Sequence, residues 1–245
     1  GTYMNRKIVL DTETTGLKPE DGHRILEIGA VEIIDNKKTG REFHSLINPD
    51  RYIPEEVVKI HGIDNAKVKH SPFFKDIVND FLDFIQGAEI VAHNADFDIK
   101  FLNYELDLSN KSKIWTYVNN ATCTVKLSKR LEAEHRSHTL DSICIRYGID
   151  LEERKAKGHG ALLDSHLLAD VFIKMNEKYS VEEINADLEQ KNWVRPQFKR
   201  YNNLHLPVIK LSSSELTAHE EMLQLMIKKD KATPIFSTSN PSLKP

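Results

Sequence analysis

Residues 6–16 read RKIVLDTETTG, an apolar and partly β-branched run that ends in acids, threonines and a glycine. That composition predicts a strand over 6–11 closed by a turn. Asp11 and Glu13 are spaced by two residues, which in a strand puts both carboxylates on one face of a sheet. Neighbouring carboxylates attract a divalent cation, but a polar strand end running into a Thr-Thr-Gly turn has the same pattern. The pair alone leaves both readings open.

Outward from this run, 25–34 (ILEIGAVEII) and 41–47 (REFHSLI) carry strand composition, punctuated by Gly22, Asp35-Asn36 and Gly40. Three consecutive strands predict a meander. From Pro54 the period becomes helical, first in PEEVVKI and then in FFKDIVNDFLDFIQ, closed by Gly87, where Phe74, Ile77, Val78, Phe81, Leu82 and Ile85 recur at three and four. AEIVAHN returns to strand, helical patterns follow at 96–108, 125–134, 139–147 and 161–178, and a short strand fits around Thr122. This order predicts an α/β fold with a mixed central sheet flanked by helices.

The folded domain is expected over 1–179. Residues 180–211 mix charges, Asn, Gln and two prolines without a sustained period and read as a flexible linker. In 212–245, Ser212 and Glu215 fit a capping box, and Leu216, Met222, Leu223, Met226 and Ile227 share one face of an amphipathic helix that precedes a loose tail. No later element follows to cover that face.

The chain has 245 residues and a net charge of -3. It contains no apolar stretch of membrane-spanning length and no secretory pattern, so a cytoplasmic protein without a membrane partner is expected; Gly1–Tyr3 stand ahead of Met4, as an added remnant would. Cys123 and Cys144 have no metal-ligand spacing and read as reduced structural residues. A slightly acidic chain does not grip nucleic acid by neutralising many phosphates. An enzyme tethered to a partner has no need to, because linkage supplies a high effective concentration.

Two further segments carry chemistry. In HNADFD a strand ends at His93-Asn94 and a helix begins near Asp96, so Asp98 is expected to face out from the first helical turn, with Asp96 able to cap that helix. In KGHGALLD, His159 lies between Gly158 and Gly160, ahead of a helix whose first turns contain Asp164. A mobile imidazole with an ordinary pKa near 6.5 can take a proton from water at neutral pH, beside an acid available to a cation. Each segment alone is equally well a solvated helix start or a loop histidine.

LDTETTG, HNADFD and HGALLD, in this order, resemble the three motifs of the DEDD exonucleases, in their histidine-containing, DnaQ-like branch. The resemblance covers roughly 6–178 and implies a ribonuclease-H-like fold, with Asp11, Glu13, Asp98 and Asp164 as metal-binding acids and His159 as general base. Oxygen ligands favour hard cations, so two Mg²⁺ ions are expected, Mn²⁺ as the substitute and zinc disfavoured. In the two-ion arrangement Asp11 bridges both ions, Glu13 and Asp164 complete one site and Asp98 supports the other. The resemblance also suggests that Thr14 and Leu17 bound the terminal nucleotide, that Ile60 and His61 pack near its base or sugar, and that Phe97 lines the scissile region. His61 and Phe97 fit equally well as core residues.

KIHGI (59–63) and TAHEEMLQLMIKK (217–229) are similar to segments of the proofreading subunits of bacterial replicative polymerases. That similarity implies a 3′ to 5′ DNA exonuclease releasing nucleoside monophosphates from a single-stranded or frayed 3′ end, bound to the polymerase (alpha) subunit through 206–230. It also raises a sliding-clamp contact in 180–200, where no convincing clamp motif is present, and a further small subunit. An RNA-trimming exoribonuclease of the same family and a non-catalytic replisome bridging module stay open as alternatives. The C-terminal segment speaks against the first and the intact acid set against the second.

Overall fold

The structure, a computed structural model, describes residues 5–185; the expected C-terminal helix and most of the expected linker lie outside the described residues. Five strands form one mixed sheet in the order β3-β2-β1-β4-β5. Strands β1 (Arg6–Thr14), β2 (Ile25–Ile34) and β3 (Lys37–Leu46) make the antiparallel meander, while β4 (Glu89–Ala92) and β5 (Asn120–Cys123) pair in parallel beyond β1. The third strand starts four residues before the expected 41. Asp35 and Asn36, at φ 50° and 60°, form a two-residue hairpin turn that returns the chain into the sheet at once.

Side-chain alternation assigns the two faces. Ile8, Leu10, Ile28, Ala30 and Ile90 belong to one apolar cluster, under helices α3 (Phe74–Ile85) and α4 (Ala95–Leu108), which follow α1 (Glu55–His61) and α2 (Asn65–Val68). Val9, Val31, Ile33 and Val91 belong to the other, with α6 (Leu140–Arg146) and α8 (Ala161–Lys178), which follow α5 (Thr124–Leu131) and α7 (Glu152–Lys157) respectively. A smaller cluster joins Leu26 to Ile53, Val57, Ile63 and Val68, with Leu17 and Ile60 packed against it. The last described helix, α9 (Val181–Asn185), lies within the stretch read as linker, and its Ile184 is buried in the α8-side cluster. Cys123 and Cys144 are free and buried.

Where β4 gives way to α4, His93 is buried, one ring nitrogen 2.7 Å from Thr124 Oγ1 and the other 2.8 Å from the His138 carbonyl. Burial pushes its pKa down to about 4. An imidazole kept neutral in the folded state gains a proton on unfolding, so the unfolded state binds more protons between about pH 6.5 and 4. Stability is therefore lost as pH falls through that window, by about 3 kcal/mol from this residue. Thermal melts of a His93→Asn variant are expected to show a shallower pH dependence over this range than the parent; an unchanged slope would refute the assignment.

Candidate active site

β1 outruns β4. Its last parallel partner is Val9, opposite Val91, while its pairing with β2 continues to Thr14. Asp11 and Glu13 continue the Val9 side of the strand, the face that α8 covers, and Thr12 continues the Leu10 side, which α4 covers. Acids from two helices therefore meet at one strand end.

From α4, Asp98 accepts hydrogen bonds from the Thr12 amide (3.0 Å) and the Thr12 hydroxyl (2.6 Å). The expectation that Asp98 faces out of the first helical turn is incorrect, for it is 2% exposed. The reason is tertiary: past the end of β4 the edge of β1 needs an acceptor, and the carboxylate provides it. Asp96, by contrast, is exposed and pairs with Lys126 at 3.6 Å, and the capping position belongs to Asn94, at φ 69°.

From the other face, α8 places Asp164 in its first turn. Gly29 makes this approach possible. It sits opposite Asp11 in the β1–β2 register, and a Cβ built on it would lie 2.3 Å from the Ala161 carbonyl carbon and the Leu162 nitrogen, so helix backbone rests directly on the sheet. Ser165 ties the contact by donating from Oγ to the Gly29 carbonyl at 2.9 Å. Glu27, opposite Glu13 on β2, accepts from the Ala161 amide at the helix start and holds His44 Nε2 at 3.2 Å. A Glu27→Gln variant keeps the shape but loses the charge that favours the amide at a helix N-terminus. We expect turnover at this site to fall about tenfold, with KM little changed; steady-state kinetics would check this.

His159 arrives through Gly158, whose φ of 77° is in the left-handed region, and its amide donates to the Ile60 carbonyl at 3.3 Å. One ligand atom from each of Glu13, His159 and Asp164 lies within 4.8 Å of the others. Asp11 is close enough to feel the charges of Glu13, Asp164 and Asp98, and Glu13 those of Asp164 and Glu27. Burial first, and this mutual repulsion second, hold the Asp11 carboxyl well above the usual carboxylate range. Burial likewise raises Glu13, and raises Asp98 to about 7 despite its bonds to Thr12. Asp164 Oδ1 is buried without a hydrogen-bond partner among the described residues. Crowded, desolvated oxygens of this kind fit hard divalent cations, which would relieve the repulsion that a folded protein otherwise has to offset.

All five expected catalytic positions thus converge. Of the residues expected around the nucleotide, Thr14, Leu17, Ile60 and His61 lie together, whereas Phe97 packs against the cluster under α3 and α4. His61 is buried; its Nδ1 accepts from the Ile63 amide at 3.0 Å, its Nε2 donates to the Thr14 carbonyl at 3.3 Å, and burial lowers its pKa to about 4. It clamps α1 onto the end of β1. Phe97 is half-buried, with its ring 4.9 Å from that of Phe101. Thr14 is buried and donates to the Gly16 carbonyl at 2.6 Å, while Leu17 and Ile60 are half-buried at the small apolar cluster. A cleft of roughly 360 Å³ opens beside His159, with Lys59, Ile60, Ile145, Arg154 and Lys155 among its lining.

Sequence reasoning missed Arg154. It lies on α7, outside the helices expected from periodicity, within the charged run LEERKAK. The residue is 6% exposed, and its guanidinium reaches Asp164, His159 and Asp141. The shared burial of Leu151 and Arg154, at a spacing of three, shows only in the fold, because one apolar residue ahead of a charged run marks no helix face.

The profile of the Exonuclease family matches residues 8–172. The DNA polymerase III subunit epsilon of Rickettsia felis is 38% identical over 226 residues, which cover 91% of this chain and 97% of that protein. The chain belongs to the DNA polymerase III epsilon-subunit family. The epsilon subunit of Salmonella typhimurium is also 38% identical, over 239 residues that cover 93% of this chain and 96% of its own. Among solved structures, Exonuclease X in complex with 5′-overhanging duplex DNA superposes with a TM-score of 0.54 at 24% identity, covering 73% of this chain and 96% of that one, which establishes the shared fold. Within the epsilon family this chain is a 3′ to 5′ exonuclease of the proofreading kind.

Proposed function

We propose that the chain removes nucleoside monophosphates from a single-stranded or frayed DNA 3′ end by metal-assisted hydrolysis, as the proofreading partner of a replicative polymerase in the cytoplasm. The observation that carries this reading is the convergence of Glu13, His159 and Asp164, with one ligand atom of each within 4.8 Å of the others, beside Asp11 and Asp98. Asp11, Glu13, Asp98 and Asp164 would hold two Mg²⁺ ions, with Mn²⁺ the substitute. When bound, such ions offset the charge developing on the phosphoryl oxygens and make water more acidic.

The protein's own groups do the rest. His159 takes the proton of the attacking water through a ring nitrogen. Gly29 and Glu27 hold α8 against the sheet, so that Asp164 and His159 keep their positions relative to β1. Thr14 and Leu17 bound the terminal nucleotide, with His61 fixing the wall behind it rather than contacting substrate through its ring nitrogens. Phe97 lines the approach to the scissile bond, and Ile60 the cleft beside His159. Lys59 and Lys155 in that cleft suit the phosphates of an incoming strand. Mispaired ends are removed first because they fray and reach the site more easily than paired ones.

Residues 206–230 are assigned to the polymerase (alpha) subunit. The tether explains how a chain of net charge -3 works on DNA without a strongly basic surface. Purified full-length protein is expected to release mononucleotides from a labelled single-stranded DNA in Mg²⁺ and to stop in chelator. A strong preference for RNA of the same sequence would transfer the assignment to RNA trimming. Deleting 206–245 is expected to leave that hydrolysis nearly unchanged and to abolish co-purification with the polymerase subunit, and binding that survives the deletion would refute the tether.

A further inference from the structure

Arg154 places a buried positive charge among groups that a cation would share. Its Nε lies 3.0 Å from Asp164 Oδ1, its Nη2 lies 3.3 Å from Asp164 Oδ2 and 2.5 Å from His159 Nδ1, and its Nη1 donates to Asp141. The pairing with Asp164 is imperfect. Despite the 3.0 Å separation, neither Arg154 Nε nor Asp164 Oδ1 makes a hydrogen bond among the described residues, and both atoms are buried. A buried guanidinium favours planar, two-pronged contact with a carboxylate, and here part of that geometry is unused.

The second anchor differs in kind. The side chain of Asp141 is 45% exposed and that of Asp164 is 4% exposed. A guanidinium drawn fully toward Asp141 would stay paired while leaving Asp164 to other charges. The histidine contact has a related consequence. Arg154 can only donate, so His159 Nδ1 accepts, and a neutral ring then carries its hydrogen on Nε2. While the contact lasts, the lone pair that could take a proton from water is the one that Arg154 covers.

We infer that Arg154 is a built-in competitor of the divalent cation: its guanidinium holds Asp164 and His159 together, and cation binding moves it onto Asp141, which releases both groups. The inference rests on the metal reading of the acid cluster proposed above. It makes Arg154 a positioning residue that sets how much divalent ion the site requires, and Asp141 the residue that receives it.

Mn²⁺ binding to the full-length protein, measured by titration calorimetry and by the loss of free-ion electron paramagnetic resonance signal, separates the possibilities. The parent protein is expected to bind Mn²⁺; if it does not, the metal reading itself is refuted. If it does, Arg154→Met is expected to bind at least about tenfold more tightly, because a nearby positive charge has been removed. Arg154→Lys, which keeps the charge but cannot bridge both carboxylates, is expected to fall between the two and provides the answer if the Met variant does not fold. Asp141→Asn is expected to weaken Mn²⁺ binding about threefold or more in the parent and to have little effect in the Arg154→Met background. A purely structural role predicts weaker binding in every variant. Folded Arg154 variants that bind Mn²⁺ no more tightly than the parent, or an Asp141→Asn effect that persists without Arg154, would overturn the inference.

Discussion

Replacing Asp11 with asparagine is expected to lower single-strand DNA hydrolysis by about a thousandfold or more, the scale of losing a group that stabilises transition-state charge. The same change is expected to make the protein more stable in chelator. Asp11 is crowded by Glu13, Asp164 and Asp98, and its charge is opposed first by burial and then by that repulsion. Removing the charge removes the conflict while keeping the shape, so the melting temperature in chelator should rise by about 2–6 °C. Few structural defects combine lost activity with gained stability. A variant that is both inactive and less stable would point to disrupted packing rather than to a cation-binding role, and a fully active one would exclude the proposed site.

The second large effect is expected from a residue with no functional group. Gly29→Val forces side-chain atoms into the backbone of Ala161 and Leu162, 2.3 Å from where the Cβ would stand. Neither partner can rotate away, because the atoms met are main chain. α8 must lift, carrying Asp164 and the adjoining His159 away from β1. Overpacking of this kind costs about 2–3 kcal/mol, a fall in melting temperature of about 5–10 °C. A misplacement of about 1 Å can reduce turnover about a hundredfold. Hydrolysis at a saturating Mn²⁺ concentration checks the second part: a folded Gly29→Val protein with the parent's rate would mean that α8 can shift without moving its acid.

The β-branched, apolar composition of RKIVLDTETTG and ILEIGAVEII, and the three-and-four spacing of Phe74, Ile77, Val78, Phe81, Leu82 and Ile85, are properties of consecutive residues, so these strands and this helix are legible in the sequence itself. The helix expected at 161–178 is found with those bounds. The short helices α2 and α7 escape such a reading, because fewer than two turns carry too little periodic signal to stand out from a polar loop. The early start of β3 is hidden for another reason: Asp35-Asn36 and Gly40 all read as punctuation, and only the hairpin geometry distinguishes the turn from a glycine inside a strand.

Local order in the chain determined which residue types stand at the strand end and the two helix starts, and their succession was enough to indicate the family and its chemistry. The tertiary structure alone decided how those groups meet. Asp98 turns inward because β1 runs past β4, Asp164 comes close because Gly29 has no side chain, and Arg154 enters an acid cluster from a run of charges. Periodicity is encoded between neighbours, whereas the burial of a charge depends on what the rest of the chain brings to it from far away in sequence.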